Sequence, residues 1–146
     1  MFWRKKQGFD DAKKDEFVEA ISLMLETQMV VVPGRSIEDA QGQINRKAIG
    51  YIYGYVDAAL TSIGQDMSDM SLSVPIMYQI LRHLFPGHEE IYTRFPMDNI
   101  GQDDELTLGV MKGGQQYVDF TKPGAEGAPM GLAGIMLEAL EAEDSE

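Results

Sequence analysis

The chain has 146 residues, 44% of them hydrophobic, and a formal net charge of −12 from 24 acidic and 12 basic residues. That length suits one domain with a core large enough to stand without metals or disulfides. The absence of cysteine removes disulfide scaffolds, thiolate metal sites and cysteine nucleophiles together. So acidic a body repels phosphate backbones, which argues against nucleic acid as a partner and favours a basic protein.

The charge is unevenly spread. Residues 1–14 carry five cations against two acids, so the remainder is more acidic than the total implies, and from Pro123 onward there are six acids and no base. Residues 1–9 read as a flexible basic start. No apolar run of signal-peptide length follows Phe2-Trp3-Arg4-Lys5-Lys6, and no segment approaches a membrane span, so a cytoplasmic location is expected.

The first helix is predicted from about Asp10 to Gln28, capped by Asp10 or Asp11, with Phe17, Ile21, Met24 and Leu25 at helical spacing. Val30-Val31-Val32 is β-branched and precedes Pro33-Gly34, which predicts a short extended segment ending in a turn. Ser36-Ile37-Glu38-Asp39 is a near capping box and predicts the second helix start. That helix carries Ile44, Ala48, Tyr51, Ile52, Tyr55, Ala59 and Ile63 and stops at Gly64. Ser73-Val74-Pro75 predicts the third start, since proline is tolerated in a first turn, and Pro86-Gly87 its end.

A short fourth helix holds Ile91, Tyr92 and Phe95 before Pro96. Asp103 or Asp104 caps a fifth with Leu106, Val110, Tyr117 and Phe120, in which Gly113-Gly114 costs about 2 kcal/mol of helix propensity and predicts a kink or break. Residues 10–121 thus form a helical domain, 122–131 a linker, 132–141 an amphipathic helix that the linker leaves room to detach, and 142–146 an acidic tail. The fold class is all-α, a compact bundle of five or six helices.

The least ordinary stretch is Gly50-Tyr51-Ile52-Tyr53-Gly54-Tyr55-Val56-Asp57-Ala58. Each glycine costs a helix about 1 kcal/mol against alanine, so two of them four apart call for a reason. Gly50, Gly54 and Ala58 share one face and leave a groove for another backbone, with Asp57 beside it. Close packing inside one monomer is the first reading, a homodimer or partner interface the second, and a ligand pocket the third. Tyr51, Tyr53 and Tyr55 point in different directions, so at least one is expected at the surface. A fainter copy, Leu108-Gly109-Val110-Met111-Lys112-Gly113, echoes Ile49–Gly54, and each copy is followed by Tyr-Val-Asp, ending at Asp57 and Asp119. If the two segments pack together, Asp57 and Asp119 become a carboxylate pair to watch.

Gly50-Tyr51-Ile52, Gly54 and Val56-Asp57-Ala58, with Gln79 and Pro86 in and after the following helix, resemble the helix signature of small helical immunity proteins for type VI secretion amidase effectors. The likeness spans Ala48 to Glu89 and implies a helical architecture. His83 and His88 are five apart across a turn, which matches no metal-ligand spacing, and no serine has a glycine elbow or adjacent base. The sequence therefore reads as a non-enzymatic protein-interaction module, an adaptor, chaperone-like factor or immunity-like inhibitor, with no cofactor, no metal and no catalytic residue. The candidate binding residues are Gly50, Tyr53, Gly54, Asp57 and Asp119. The alternative is a ligand-binding or hydrolytic domain with a carboxylate and tyrosine site around Asp57 and Asp119.

Overall fold

The computed structural model describes residues 9–35, 37–38 and 42–144. The basic start, the expected cap at Ser36 and the last two residues of the acidic tail lie outside them. Six α-helices are present among the described residues: α1 (Asp11–Met29), α2 (Arg46–Ser62), α3 (Met70–Leu84), α4 (Glu89–Asn99), α5 (Asp104–Thr121) and α6 (Gly131–Asp144). The protein is an all-α bundle.

Side-chain caps set most of the starts. Asp10 accepts from the Lys13 amide, Asn45 from Ala48, Asp69 from Ser71 and Asp103 from Leu106. Two expected starts differ. The second helix starts at Arg46: Glu38 and Ile44 form an isolated antiparallel bridge, and Asn45 is the cap. The third helix starts at Met70 rather than Ser73, because the Asp69 cap acts first and Pro75 is carried inside the helix. The valine run is not a strand either. The Val30 and Val32 amides bond back to Thr27 and Met29, Val30 and Val31 are exposed, and Pro33–Arg35 is a 3-10 turn.

Helix α2 is the centre of the bundle. Every residue from Ala48 to Val56 is buried, with Ala59 and Leu60, the pattern of a helix surrounded on all sides. That is why Tyr51, Tyr53 and Tyr55 are all buried, against the expectation that one would be exposed. Leu25 and Met29 of α1, Met77, Ile80 and Leu81 of α3, Leu106 of α5, and Leu132 and Met136 of α6 complete the core.

The last helix is not detached. Leu132, Ala133, Ile135 and Met136 are buried, and its first amides are held by glutamines from other helices. The Gly131 N–H donates to Gln116 Oε1 at 2.9 Å and the Leu132 N–H to Gln28 Oε1 at 3.2 Å. The Tyr51 hydroxyl lies between the two, 2.6 Å from Gln116 Oε1 and 3.2 Å from Gln28 Oε1. Amides that a helix start leaves without internal partners are thus satisfied by α1 and α5.

Candidate functional site

The glycine segments account for the closest contact in the molecule. A Cβ built on Gly50 would land on the carbonyl oxygen of Leu106, and one on Gly54 on that of Val110. In return, a Cβ on Gly109 would land on the carbonyl of Lys47, and one on Gly113 on that of Tyr51. The relation is reciprocal, since each glycine meets the carbonyl three residues before the glycine matched to it. Gly50 therefore pairs with Gly109 and Gly54 with Gly113, and α2 and α5 run parallel. The carbonyl oxygens stand where side chains would be, which is the geometry of Cα–H···O contacts, each contributing about 0.5–1 kcal/mol.

This also explains why α5 runs unbroken through Gly113-Gly114, where a kink was expected. The propensity lost at the glycines is offset by the backbone approach they permit. Of the candidate residues, Gly50 and Gly54 lie in this seam, buried within the monomer. Gly50 is closed off by α5, while Gly54 also reaches the edge of the groove beyond the seam.

Past the seam the helices leave an open groove of ≈ 570 Å³. Its floor is Gly54, Ala58 and Gly114, its walls include Met111 and Val118 of α5, and Asp57 and Lys122 are its charged lining. Met111 is 66% and Val118 53% exposed. Tyr117 lines the same groove, its ring edge-on to Tyr55 with centroids 5.1 Å apart and its hydroxyl 3.2 Å from the Ser62 hydroxyl. Burial pushes the Tyr55 phenol up to about 12, and Tyr117 adds to the shift.

Asp57 is half-buried on the groove wall. Burial raises its carboxyl above the ordinary range, the nearby Asp66 carboxylate raises it further, and a hydrogen bond with Thr61 draws it partly back. Tyr53 sits one turn earlier, buried in the core and outside the groove lining, with its phenol raised by burial and by the charge of Asp57. Asp119 does not join Asp57. It accepts a hydrogen bond from Gln115 Nε2 at 2.9 Å and is not part of the lining. The matched register sets Asp57 opposite Gln116. Six residues after Gly113, Asp119 stands about 120° round the helix from the seam, on the flank opposite Val118. The carboxylate neighbour of Asp57 is therefore Asp66.

His83 and His88 are both exposed, and the His88 ring stacks on Tyr92 with centroids 5.2 Å apart. Among the described residues no three histidine or carboxylate side chains are grouped to hold a metal ion, and no helix is long and apolar enough to cross a membrane. No protein-family model, no curated protein and no solved structure matches the chain.

The sequence reading missed Met111, Val118 and Lys122. A signal existed: Leu108, Met111 and Val118 lie at spacings of three and seven, one stripe of α5. They lie away from Leu106, Gly109 and Gly113, which are the buried positions of α5.

The raised carboxyl of Asp57 gives an expected pH dependence. A native pKa above the unfolded value means that the native state holds this proton more tightly. The associated stability is complete below the ordinary aspartate value of about 3.9 and is lost as pH rises through the native value. Asp57→Asn removes the penalty, so it is expected to raise the thermal midpoint at pH 7, with the gain closing towards pH 3. Parallel melting series of the two proteins across that range read the effect directly; an equal gain at both ends would mean that the charge of Asp57 is not its source.

Proposed function

We infer that the protein is a non-enzymatic interaction module that accepts an amphipathic helix in the groove between α2 and α5. The observation that carries this reading is the groove itself: two exposed apolar side chains, Met111 and Val118, wall a concave floor made of Gly54, Ala58 and Gly114. The small residues Ala58 and Gly114 keep the floor low enough for an incoming helix to approach, and the exposed walls supply anchors at helical spacing. From Val110 to Lys122 the groove is about 18 Å long at 1.5 Å per residue, which matches a docked helix of about 12 residues.

Charge selects the class of partner. The whole chain carries −12, and the half-buried Asp57 in the groove wall has no ion pair among the described residues. A second copy of so acidic a chain would meet repulsion, while a basic helix meets attraction. The reading fits an adaptor or inhibitor that masks a basic helical segment of another protein, and we place it in the cytoplasm.

The test uses a synthetic helix of about 12 residues with leucines on one face and lysines on the other. Titration by calorimetry is expected to show saturable binding. Met111→Glu with Val118→Glu is expected to weaken it at least about tenfold, since each buried side chain contributes on the order of 1.5–3 kcal/mol. Both positions are more than half exposed, so the fold should survive the change. Equal binding of a peptide with the same composition and scrambled spacing would reduce the contact to unspecific charge attraction and defeat the reading.

A further inference from the structure

Helices α2 and α5 are parallel through the glycine seam, so their peptide dipoles add instead of cancelling. Both C-terminal ends, at Ser62 and Thr121, lie at one end of the groove, and each carries about half a negative charge. Asp57 stands midway along the groove, opposite Gln116 in the shared register, and Asp66, just beyond the end of α2, is near enough to raise its carboxyl. Lys122 is the one cation in the lining and sits at the same end. The Asp66 carboxylate and two helix C-termini outweigh a single ammonium, so this end is negative. The opposite end, formed by Gly54, Val110 and Met111, has no charged lining. The groove is therefore electrically polar along its length.

We propose that this polarity fixes the orientation of the docked helix: it lies antiparallel to α2 and α5, with its N-terminal turn over their C-terminal ends and a Lys or Arg of that half reaching back to Asp57. The proposal rests on the docking reading above and names the order of charge along the partner. Three contributions favour the same direction. The positive end of the incoming dipole meets the two negative helix ends, the cationic side chain meets Asp57 and Asp66, and the apolar remainder covers Met111 away from charge. A helix entering the other way would set its own C-terminal carbonyls against two others in a partly desolvated cleft.

Two peptides of about 12 residues separate the orientations. Both carry the same leucine stripe; one bears its lysines in the first turn and the other in the last, and each has a nitroxide on its N-terminus. The isotopically labelled full chain is titrated with each, and affinity and paramagnetic broadening are read by NMR. Each affinity is corrected for the helicity of the free peptide, read by circular dichroism, because first-turn lysines weaken a helix. The lysine-first peptide is then expected to bind about 5-fold tighter, to broaden the Thr61 and Ser62 amides, and to leave the Val110 amide sharp. Asp57→Asn is expected to bring the two affinities within about twofold. Equal affinities for the two peptides, or broadening centred on Val110 with the lysine-first peptide, would overturn the orientation. If both peptides still lose affinity with Met111→Glu and Val118→Glu, docking stands and only the polarity is wrong. If neither peptide binds, or if those two changes have no effect, docking and orientation fall together.

Discussion

Alanine at Gly113 and alanine at Gly114 are expected to change stability in opposite directions, although the two residues are neighbours in one helix. Either change raises the helix propensity of α5 by about 1 kcal/mol. At Gly113 the new methyl lands on the carbonyl oxygen of Tyr51, an atom of the α2 backbone that no rotamer change can move. The two helices must then separate along the seam, loosening the reciprocal contacts at Gly50, Gly54 and Gly109. Overpacking of this kind costs about 1–3 kcal/mol and sometimes more; with fixed backbone on both sides, a net loss of about 3 kcal/mol is expected for Gly113→Ala. At Gly114 the nearest atom to an added Cβ is the Gly54 oxygen at 3.5 Å, an ordinary contact. Gly114→Ala should therefore stabilise by about 0.5–1 kcal/mol. Urea unfolding of the two variants measures both, and because propensity is common to them, their difference isolates the close approach. If Gly113→Ala were as stable as Gly114→Ala, the backbone contact would not be what holds α2 to α5.

The glycines also show where sequence reasoning stops. That Gly50 and Gly54 needed a packing partner could be read from their cost, and the copy at Gly109 and Gly113 could be seen as an echo. Their reciprocity could not, because the Tyr-Val-Asp that follows each copy is displaced by three residues relative to the glycines, while its repetition suggested Asp57 and Asp119 as equivalents. Parallel register puts Gln116 opposite Asp57. Helix starts were legible where no rival signal stood nearby: of the adjacent acids Asp10 and Asp11, and Asp103 and Asp104, the first of each pair is the cap. They were misplaced where local signals competed: Ser36 offered a capping box, yet Asn45 caps α2; Pro75 suggested a first turn, yet Asp69 starts the helix earlier. The burial of three successive odd-numbered tyrosines depended on α2 being central. One clue lay in the sequence, since Asp57 is the single charged residue from Ala48 to Leu60. The groove between α2 and α5 was hidden because Met111 and Val118 are apolar, and apolar residues in a helix are read first as core.

The expected detachment of the last helix returns as a measurable local opening. Gln116 Oε1 accepts from both the Gly131 N–H and the Tyr51 hydroxyl, so one side chain holds the start of α6 to α2 and α5. Gln116→Leu leaves two donors without that acceptor; at about 1–3 kcal/mol for a buried donor left unpaired, and with Gln116 itself partly exposed, a loss of about 2 kcal/mol is expected. Tyr51→Phe alone removes one bond and leaves Gly131 satisfied, so about 1 kcal/mol is expected. The double variant should cost clearly less than the sum. Once Gln116 is leucine, the Tyr51 hydroxyl keeps only the longer 3.2 Å contact to Gln28 Oε1, and deleting it no longer breaks the stronger bond. The distinctive readout is hydrogen exchange. With Gln116→Leu, the amides of Gly131 and Leu132 should exchange faster than those of the core residues Ile52 and Leu81, as α6 opens before the rest of the bundle unfolds. Uniform acceleration across all six helices would place Gln116 in the global fold and not in the latch of α6.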